Sequence, residues 1–166
     1  MTSFPVNPHR LDPYKVFKFQ VILDGRVVPG VSKVGPLRRH TETILYRDGS
    51  FPSHMVTAPG ITAFDPIVME RGITHDKTFE AWAALAYNVA GAPGMSLKNF
   101  RKDLRINLLN EQGTVVRSYM VYRAWVSDYT ALPVMDASAN AVAIETIVLT
   151  HEGFEIDASV SEPVET

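Results

Sequence analysis

The histidines are the residues of this chain best suited to metal binding or acid–base chemistry, and they are scattered along it: His9, His40, His54, His75 and His151. His40 shares a predicted strand face with Glu42, and His75 directly precedes Asp76 where a helix is predicted to begin. Neither pair has a third ligand at the spacing that a zinc site requires. We therefore interpret the histidines as solvated or interface residues and expect no metal site.

No other pattern of reactive residues points to catalysis or to a cofactor. The G-x-S-x-G sequence that presents a serine nucleophile does not occur. Gly91-Ala-Pro-Gly94 lacks the following lysine and helix that phosphate binding needs. Glu152 and Glu155 flank a predicted turn, where paired carboxylates are more typical of surface charge than of acid–base chemistry. We expect no catalytic residues and no cofactor, and hence no enzyme.

Length and composition are those of one globular domain with its own core. The chain has 166 residues, of which 46% are hydrophobic and 20% are charged. The formal net charge is -2 and there is no basic run, which argues against a surface that binds nucleic acid by charge. Cysteine does not occur, so disulfides, thiolate catalysis and cysteine zinc sites are excluded.

Both ends of the chain are predicted to lie apart from this domain. Residues 1–13 contain three prolines, and we interpret them as an arm that becomes ordered only against a neighbour. Residues 157–166 are acidic and are predicted to be a flexible tail, which leaves residues 14–156 as the domain. The first residues lack the apolar segment of a signal peptide, and no run approaches the ~20 apolar residues of a membrane span. We expect no membrane anchor.

Alternating hydrophobic residues predict several antiparallel strands. Residues 14–23 alternate and end at the turn Asp24-Gly25, after which Val27-Val28 starts a return strand. A strand centred on Ile67 to Arg71 is predicted within residues 61–73. A second clear hairpin joins a strand through Leu104, Ile106 and Leu108 to one over residues 114–126, around the turn Asn110–Gly113.

One segment has the periodicity of a helix. Phe79, Trp82, Ala83, Ala86, Val89 and Ala90 recur at spacings of three and four, which predicts a helix over residues 78–90. Asp76 is the predicted N-cap and Gly91 the predicted stop. With about seven strands and this one helix, we predict a mainly β fold of two packed antiparallel sheets, a sandwich or barrel, with one flanking helix.

Two strand segments are unusual because their patterns favour assembly. Residues 37–58 predict a long hairpin with its turn at Arg47–Ser50, too polar to bury itself and therefore expected to project. Residues 142–149 predict a strand that is apolar on both faces, as expected of a strand covered by its own core and by another subunit. The alternatives are a mobile loop for the hairpin, a central sandwich strand for the second segment and a disordered end for the arm.

The chain resembles the tail tube proteins of the phage T4 tube type, found in contractile phages and phage-like contractile injection systems. The resemblance covers about residues 11–156. It rests on segments that occur in the order of the family: Asp12-Pro-Tyr-Lys-Val-Phe-Lys-Phe19, Val28-Pro-Gly-Val-Ser-Lys-Val34, Tyr46-Arg-Asp-Gly49, Pro59-Gly60, Met69-Glu-Arg-Gly-Ile-Thr74, Phe79-Glu-Ala-Trp82, Ile106-Asn-Leu-Leu-Asn-Glu-Gln-Gly113, Ala124-Trp125 and Asp136 to Glu155.

The resemblance implies a structural protomer of an inner tube. Hexameric rings would each form a continuous β-barrel, and the rings would stack inside a contractile sheath between a baseplate or tube initiator and a terminating cap. DNA or an effector protein would pass through the lumen, and the particle would be assembled in the bacterial cytoplasm. The hairpin residues implied to contact the next ring are Tyr46, Arg47, Asp48, Gly49 and Phe51. Thr41 and Thr43 suit a polar lumen surface.

Two other functions compete with the tube protomer. A tube-initiator or baseplate protein of the same fold would carry extra domains or longer termini, which the length of 166 residues disfavours. A small β-barrel that binds a ligand would have a pocket with converging polar groups and would be a stable monomer. The sequence shows no such group of residues.

Overall fold

A computed structural model of the protein describes residues 13–50, 54–87 and 98–164. These residues form ten strands and one α-helix. In chain order, the elements are β1 (Phe19–Leu23), β2 (Arg26–Val27), β3 (Val31–Val34), β4 (Arg39–Tyr46), β5 (Val56–Phe64), β6 (Ile67–Gly72), α1 (Thr78–Ala86), β7 (Lys102–Leu109), β8 (Val115–Thr130), β9 (Ile144–Thr150) and β10 (Gly153–Ile156).

The long strand β8 joins two antiparallel sheets. Its first part pairs with β7, and its last part pairs with β9. One sheet has the order β2-β1-β7-β8, with β10 on the far side of β8, and the other has the order β8-β9-β6-β3. The prediction of a mainly β fold with two antiparallel sheets and one helix is therefore confirmed for the residues that the structure describes.

A bulge lets β8 pass from one sheet to the other. Between the pairs Leu104–Val121 and Lys102–Ala124, β8 contains one more residue than β7. Arg123 lies in this bulge with a φ of 51°, and its amide donates a hydrogen bond of 2.8 Å to the carboxylate of Asp103. Since a bulge bends the strand that contains it, this irregularity lets β8 serve both sheets.

A single hydrophobic core lies between the two sheets and the helix. Val21, Leu104 and Val121 reach it from the first sheet, and Ile147 and Leu149 from the second. The helix contributes its buried face, Phe79 and Trp82. The indole Nε1 of Trp82 donates a hydrogen bond of 2.9 Å to the Phe100 carbonyl, which ties the helix to the residues before β7. In the described part of the chain, no helix is long and apolar enough to cross a bilayer.

A buried guanidinium connects the second sheet to the helix. Only 1% of Arg71 is exposed, and its side chain forms an ion pair with the buried carboxylate of Glu145 on the neighbouring strand β9. The same guanidinium donates to the Asp76 carboxylate at 2.8 Å and to the Asp76 carbonyl at 2.6 Å. It also lies over the ring of Phe79, 4.2 Å from the centroid. The Tyr129 hydroxyl donates to the other Glu145 oxygen at 3.2 Å, so the charges of this network are compensated.

Asp76 serves both this network and the start of the helix. Its carboxylate accepts the Thr78 amide at 2.9 Å, although the N-cap position is Lys77, one residue later than predicted. The hydrogen bond from Thr78, and then that from Arg71, lower the pKa of Asp76 to about 2. The Asp76 carboxylate is thus shared between the first turn of the helix and Arg71.

Several boundaries differ from the sequence prediction. The helix ends at Ala86 and not at residue 90, and Gly91, its predicted stop, lies outside the described residues. The return strand of the long hairpin extends to Phe64, so residues 61–64 belong to the hairpin and not to the next strand. The short strands β3 and β10 were not predicted, because neither has enough alternating residues to give a period.

The structure describes the predicted N-terminal arm and C-terminal tail only in part. The described residues begin at residue 13, so the predicted arm lies almost wholly outside them. At the start of the predicted tail, the Asp157 amide donates to the Ser118 carbonyl at 2.9 Å. The Asp157 carboxylate lies 3.3 Å from the Arg105 guanidinium. The division into arm, domain and flexible tail remains a prediction.

The Arg71 network predicts a specific loss of stability. In an Arg71→Met variant, the buried Glu145 carboxylate loses its cation, and we expect the free energy of unfolding to fall by about 3–5 kcal/mol. Adding Glu145→Gln should recover part of this loss because it removes the uncompensated charge. Urea denaturation measures both effects. Arg117→Met, at an exposed position of β8, is the control; a loss for Arg71→Met no greater than for the control would contradict this role.

Candidate functional site, a projecting β-hairpin

Strands β4 and β5 form a two-stranded ribbon apart from the main sheets. They pair from Arg39 opposite Phe64 to Tyr46 opposite Val56, and among the described residues neither has another strand neighbour. We call residues 39–64 the projecting hairpin. Two strands alone are marginally stable in water, and their free edges can pair with another chain. The hairpin predicted from the sequence is present and is longer than predicted.

The root of the projecting hairpin is tied to the main body by backbone contacts. The Gly35 amide donates to the Val68 carbonyl at 2.7 Å, and a Cβ at Gly35 would lie 3.1 Å from the Val68 nitrogen. This close approach therefore favours glycine. The Asp65 amide donates to the Arg38 carbonyl at 3.1 Å, and the two side chains form an ion pair of 2.9 Å.

An aromatic cluster also holds the root. The ring of Phe64, the last residue of β5, lies 5.6 Å from the His151 ring and 5.9 Å from the Phe154 ring. His151 is 6% exposed, and its Nε2 lies 3.0 Å from the Asp65 carbonyl oxygen. The interpretation of all five histidines as solvated or interface residues is wrong for His151. Sequence reasoning missed this residue because its partners are distant along the chain.

One face of the projecting hairpin is rich in threonine. Thr41 lies opposite Thr62, Thr43 opposite Pro59 and Leu45 opposite Thr57, and cross-strand partners share a face. The Thr41 and Thr62 hydroxyls are 2.9 Å apart. Thr41 and Thr43, which the sequence analysis assigned to a lumen surface, therefore lie on one face with two further threonines. This face offers hydroxyl groups and carries no charge between Thr41 and Leu45.

The opposite face of the projecting hairpin is apolar toward the tip. Ile44 lies opposite Ala58, and Tyr46 opposite Val56. Toward the root, the same face carries the exposed polar side chains of Glu42 and of His40, which lies opposite Ala63. Ile44 is 53% exposed, and the Tyr46 side chain is also exposed. The register shifts between Thr41 and Thr43, and 75% of Ile61 is exposed at this irregularity. Exposed apolar side chains on a ribbon with free edges are typical of an interaction surface.

The predicted contact residues lie at the tip of the projecting hairpin. Tyr46 ends β4, and Arg47, Asp48 and Gly49 follow it in the connection to β5. The Asp48 carboxylate accepts the Ser50 amide at 3.1 Å, which closes a local turn. Phe51, the last residue of the predicted set, lies outside the described residues. The structure thus places four of the five residues together without testing what they contact.

Other surfaces of the described chain offer no comparable site for chemistry. No three histidine, aspartate or glutamate residues within residues 13–50, 54–87 and 98–164 are arranged to hold a metal ion. A groove of about 620 Å³ lies between the β1–β2 turn and the helix. Three of its four charged groups are engaged in ion pairs, Asp24 with Lys102, and Asp76 with Arg71; the fourth is Arg26.

Comparison with known proteins agrees with this description of a structural surface. Residues 15–155 match the family of the T4-like virus tail tube protein gp19. The chain belongs to this tail tube family. No curated protein sequence matches the chain.

Solved structures of injection systems have the same fold as this tail tube protein. A chain from the cryo-EM structure of the anti-feeding prophage cap, which terminates its tube, is 27% identical, with a TM-score of 0.73. The match covers 89% of this chain and 93% of that chain. A chain from the sheath–tube complex of the extracellular contractile injection system PVC is 25% identical, with a TM-score of 0.71, covering 88% and 92% of the two chains.

A third related structure is similar in fold alone. A chain of the anti-feeding prophage baseplate is 16% identical, with a TM-score of 0.71, covering 89% of this chain and 97% of that chain. Together with the family match, these similarities support a structural role of the tube type. The family is one of structural tube proteins, and its members are typically not enzymes.

A charged substitution on the apolar part of the projecting hairpin should impair assembly without destabilising the single chain. In an Ile44→Glu variant, we expect the free energy of unfolding of the single chain to change by less than about 1 kcal/mol, because the side chain is already half exposed. Formation of higher-order particles, measured by light scattering and sedimentation, should be lost. Ile44→Val keeps an apolar surface and should assemble. Normal assembly of Ile44→Glu would show that this face has no partner.

Proposed function

We propose that this protein is the protomer of the inner tube of a contractile phage tail or contractile injection system. Hexameric rings of the chain stack around a lumen, and DNA or an effector protein passes through it. The observation that carries the proposal is the projecting hairpin, in a chain that belongs to the tail tube family. Its edges have no strand partner among the described residues, and one of its faces is apolar toward the tip. Such a ribbon is completed when other subunits pair with its edges.

The rings require interfaces between neighbouring subunits, and the free strand edges support such interfaces. When several hairpins pair side by side in a ring, they form a closed barrel, which leaves no edge exposed. The threonine-rich face is the proposed lumen surface, and Thr41 and Thr43 are the residues proposed to line the lumen. Hydroxyl groups without charge suit a channel through which a cargo slides without binding.

The contact between rings is assigned to the tip of the projecting hairpin. Tyr46, Arg47, Asp48, Gly49 and Phe51 are the proposed residues. The described part of the tip lies between the paired strands, which end at Tyr46 and resume at Val56. In the proposed tube, this loop contacts the neighbouring ring.

The proposed partners follow from the related structures. PVC contains a sheath–tube complex and the anti-feeding prophage contains a cap and a baseplate. By analogy, a contractile sheath surrounds the tube of this protein, a baseplate or tube initiator lies at one end, and a terminating cap lies at the other. Assembly takes place in the bacterial cytoplasm, and the tube becomes part of a phage tail or phage-like particle.

A baseplate or tube-initiator role is the second candidate. The fold similarity to a chain of the anti-feeding prophage baseplate favours it, although at 16% identity this similarity concerns the fold alone. The two roles differ in stoichiometry. A tube protomer stacks into tubes of many rings, whereas an initiator forms one ring that does not propagate by itself.

Negative-stain electron microscopy of the purified protein tests the proposal. Class averages of end-on views should show six-fold rings with a central hole, and side views should show stacked rings. Single rings that never stack would favour the initiator role. Monomers alone, at every protein concentration, would contradict the tube role and favour a ligand-binding domain.

The tip assignment makes a separate prediction. Replacing Asp48 and Gly49 by valine should spare folding, because a Cβ at Gly49 meets no atom within 4 Å. We expect intact rings but shorter stacks, measured as tube length in micrographs, since bulky β-branched side chains alter the proposed ring contact. The control combines Asp48→Asn with Gly49→Ala and keeps a small tip with an acceptor for Ser50. Tubes of normal length in the valine variant would show that the ring contact lies elsewhere.

A further inference from the structure

The root of the projecting hairpin contains a titratable side chain in a nearly closed apolar site. His151 connects β9 to β10, and its ring packs against Phe64 of β5 and Phe154 of β10, at centroid distances of 5.6 and 6.1 Å. Its Nε2 lies 3.0 Å from the carbonyl oxygen of Asp65, the residue at which the hairpin leaves the body. One side chain thus contacts the end of the hairpin, its backbone exit and the main sheet.

The hydrogen bonds of His151 fit the neutral imidazole. The Asp65 carbonyl oxygen can only accept a hydrogen bond, so Nε2 carries the proton and donates the hydrogen bond to it. The other ring nitrogen, Nδ1, is buried and has no hydrogen-bond partner among the residues that the structure describes. Protonation of Nδ1 would place a charged donor without an acceptor among two phenylalanine rings. Such a group is costly to bury, and the site can relieve the cost by opening.

The neighbouring charged groups are engaged with one another. On the hairpin side, the Asp65 carboxylate is paired with Arg38 at 2.9 Å. On the β10 side, Glu152 follows His151 directly and pairs with Arg123 at 2.8 Å and with Arg101 at 3.6 Å. Phe64 and Phe154, which form the walls of the site, carry no charge. None of these groups hydrogen-bonds to Nδ1, so none of them compensates a proton placed there.

We infer that His151 is the positioning residue of the projecting hairpin, and that the hairpin is held in its assembly-competent direction only while this imidazole is neutral. The inference rests on the proposed role of the hairpin in assembly. It makes the tube sensitive to acid through one side chain.

The pH profile of assembly tests this inference. Wild-type protein should form tubes at about pH 7.5, and the assembled fraction should fall at least tenfold at about pH 5. His151→Gln keeps an amide that donates to the Asp65 carbonyl but cannot take up a proton, so its assembly should not change over this range. His75→Gln, at an exposed position near the helix start, is the matched control and should keep the wild-type profile. A His151→Gln profile identical to wild type would overturn the inference.

A measurement on the single chain separates this inference from the proposed function. The natural chain has no cysteine. Spin labels therefore attach only to introduced cysteines, Thr57→Cys on the hairpin and Arg117→Cys on β8. In the assembly-deficient Ile44→Glu background, the distance distribution between labels should be narrow at about pH 7.5 and broad at about pH 5. With His151→Gln it should stay narrow.

The two measurements have distinct outcomes. A pH-dependent distance in a protein that forms no tubes would support the His151 inference while contradicting the tube role. Normal tubes together with a distance that does not respond to pH would overturn the inference and leave the tube role intact. A His151→Phe variant checks that the hydrogen bond matters, since it keeps the aromatic packing and should broaden the distribution at both pH values.

Discussion

Two β-strands paired only with each other leave the outer amide and carbonyl groups of both strands without a strand partner, and the proposed assembly depends on these free edges. In β4 and β5 these groups line both edges of the projecting hairpin. Burial within the same chain could satisfy them, yet the strands leave the body at Gly35 and Asp65. Water satisfies these groups in the single chain, and pairing with other subunits would replace it in the proposed tube. The apolar and threonine-rich faces of the hairpin would then each lie in a defined environment.

The proposed assembly requires that the hairpin keep a fixed direction, and contacts within the main body and at the hairpin root favour this. The bulge at Arg123 lets one strand serve two sheets, so the two sheets are continuous through β8. The buried Arg71 guanidinium links β6, β9 and the start of the helix through ionic hydrogen bonds, which are directional. The root contacts at Gly35, Asp65 and His151 then transmit this fixed geometry to the hairpin.

Local patterns in the sequence predict much of this fold. The hairpin around Asn110–Gly113, the buried helix face of Phe79 and Trp82, and the polar character of the projecting hairpin follow from periodicity and turn residues. Strand β9 shows both what the sequence predicts and what it does not. Glu145 lies on the same buried face as Ile147 and Leu149. Only the structure reveals that Arg71 and Tyr129 compensate its charge.

The remaining features depend on contacts between distant residues, which no local pattern contains. Residues 61–64, the end of β5, are predicted from the sequence as part of the next strand. The reason is that only Asp65 and Pro66 separate these two β-forming segments. His151 lies in a segment that resembles any strand end, and its role arises from Phe64 and Asp65, more than eighty residues earlier. The proposed ring contacts and lumen would involve other subunits. The structure of a single chain shows which residues are exposed but not what they contact in an assembly.

Amide hydrogen exchange, compared between the single chain and the assembled particle, tests the central claim most directly. If the projecting hairpin completes its backbone hydrogen bonds on other subunits, the amides of residues 39–64 should exchange rapidly in the single chain and become strongly protected on assembly. Amides of β7 and β8 should be protected in both states, because they are paired within the chain. Assembled particles in which residues 39–64 exchange as rapidly as in the single chain would contradict the account.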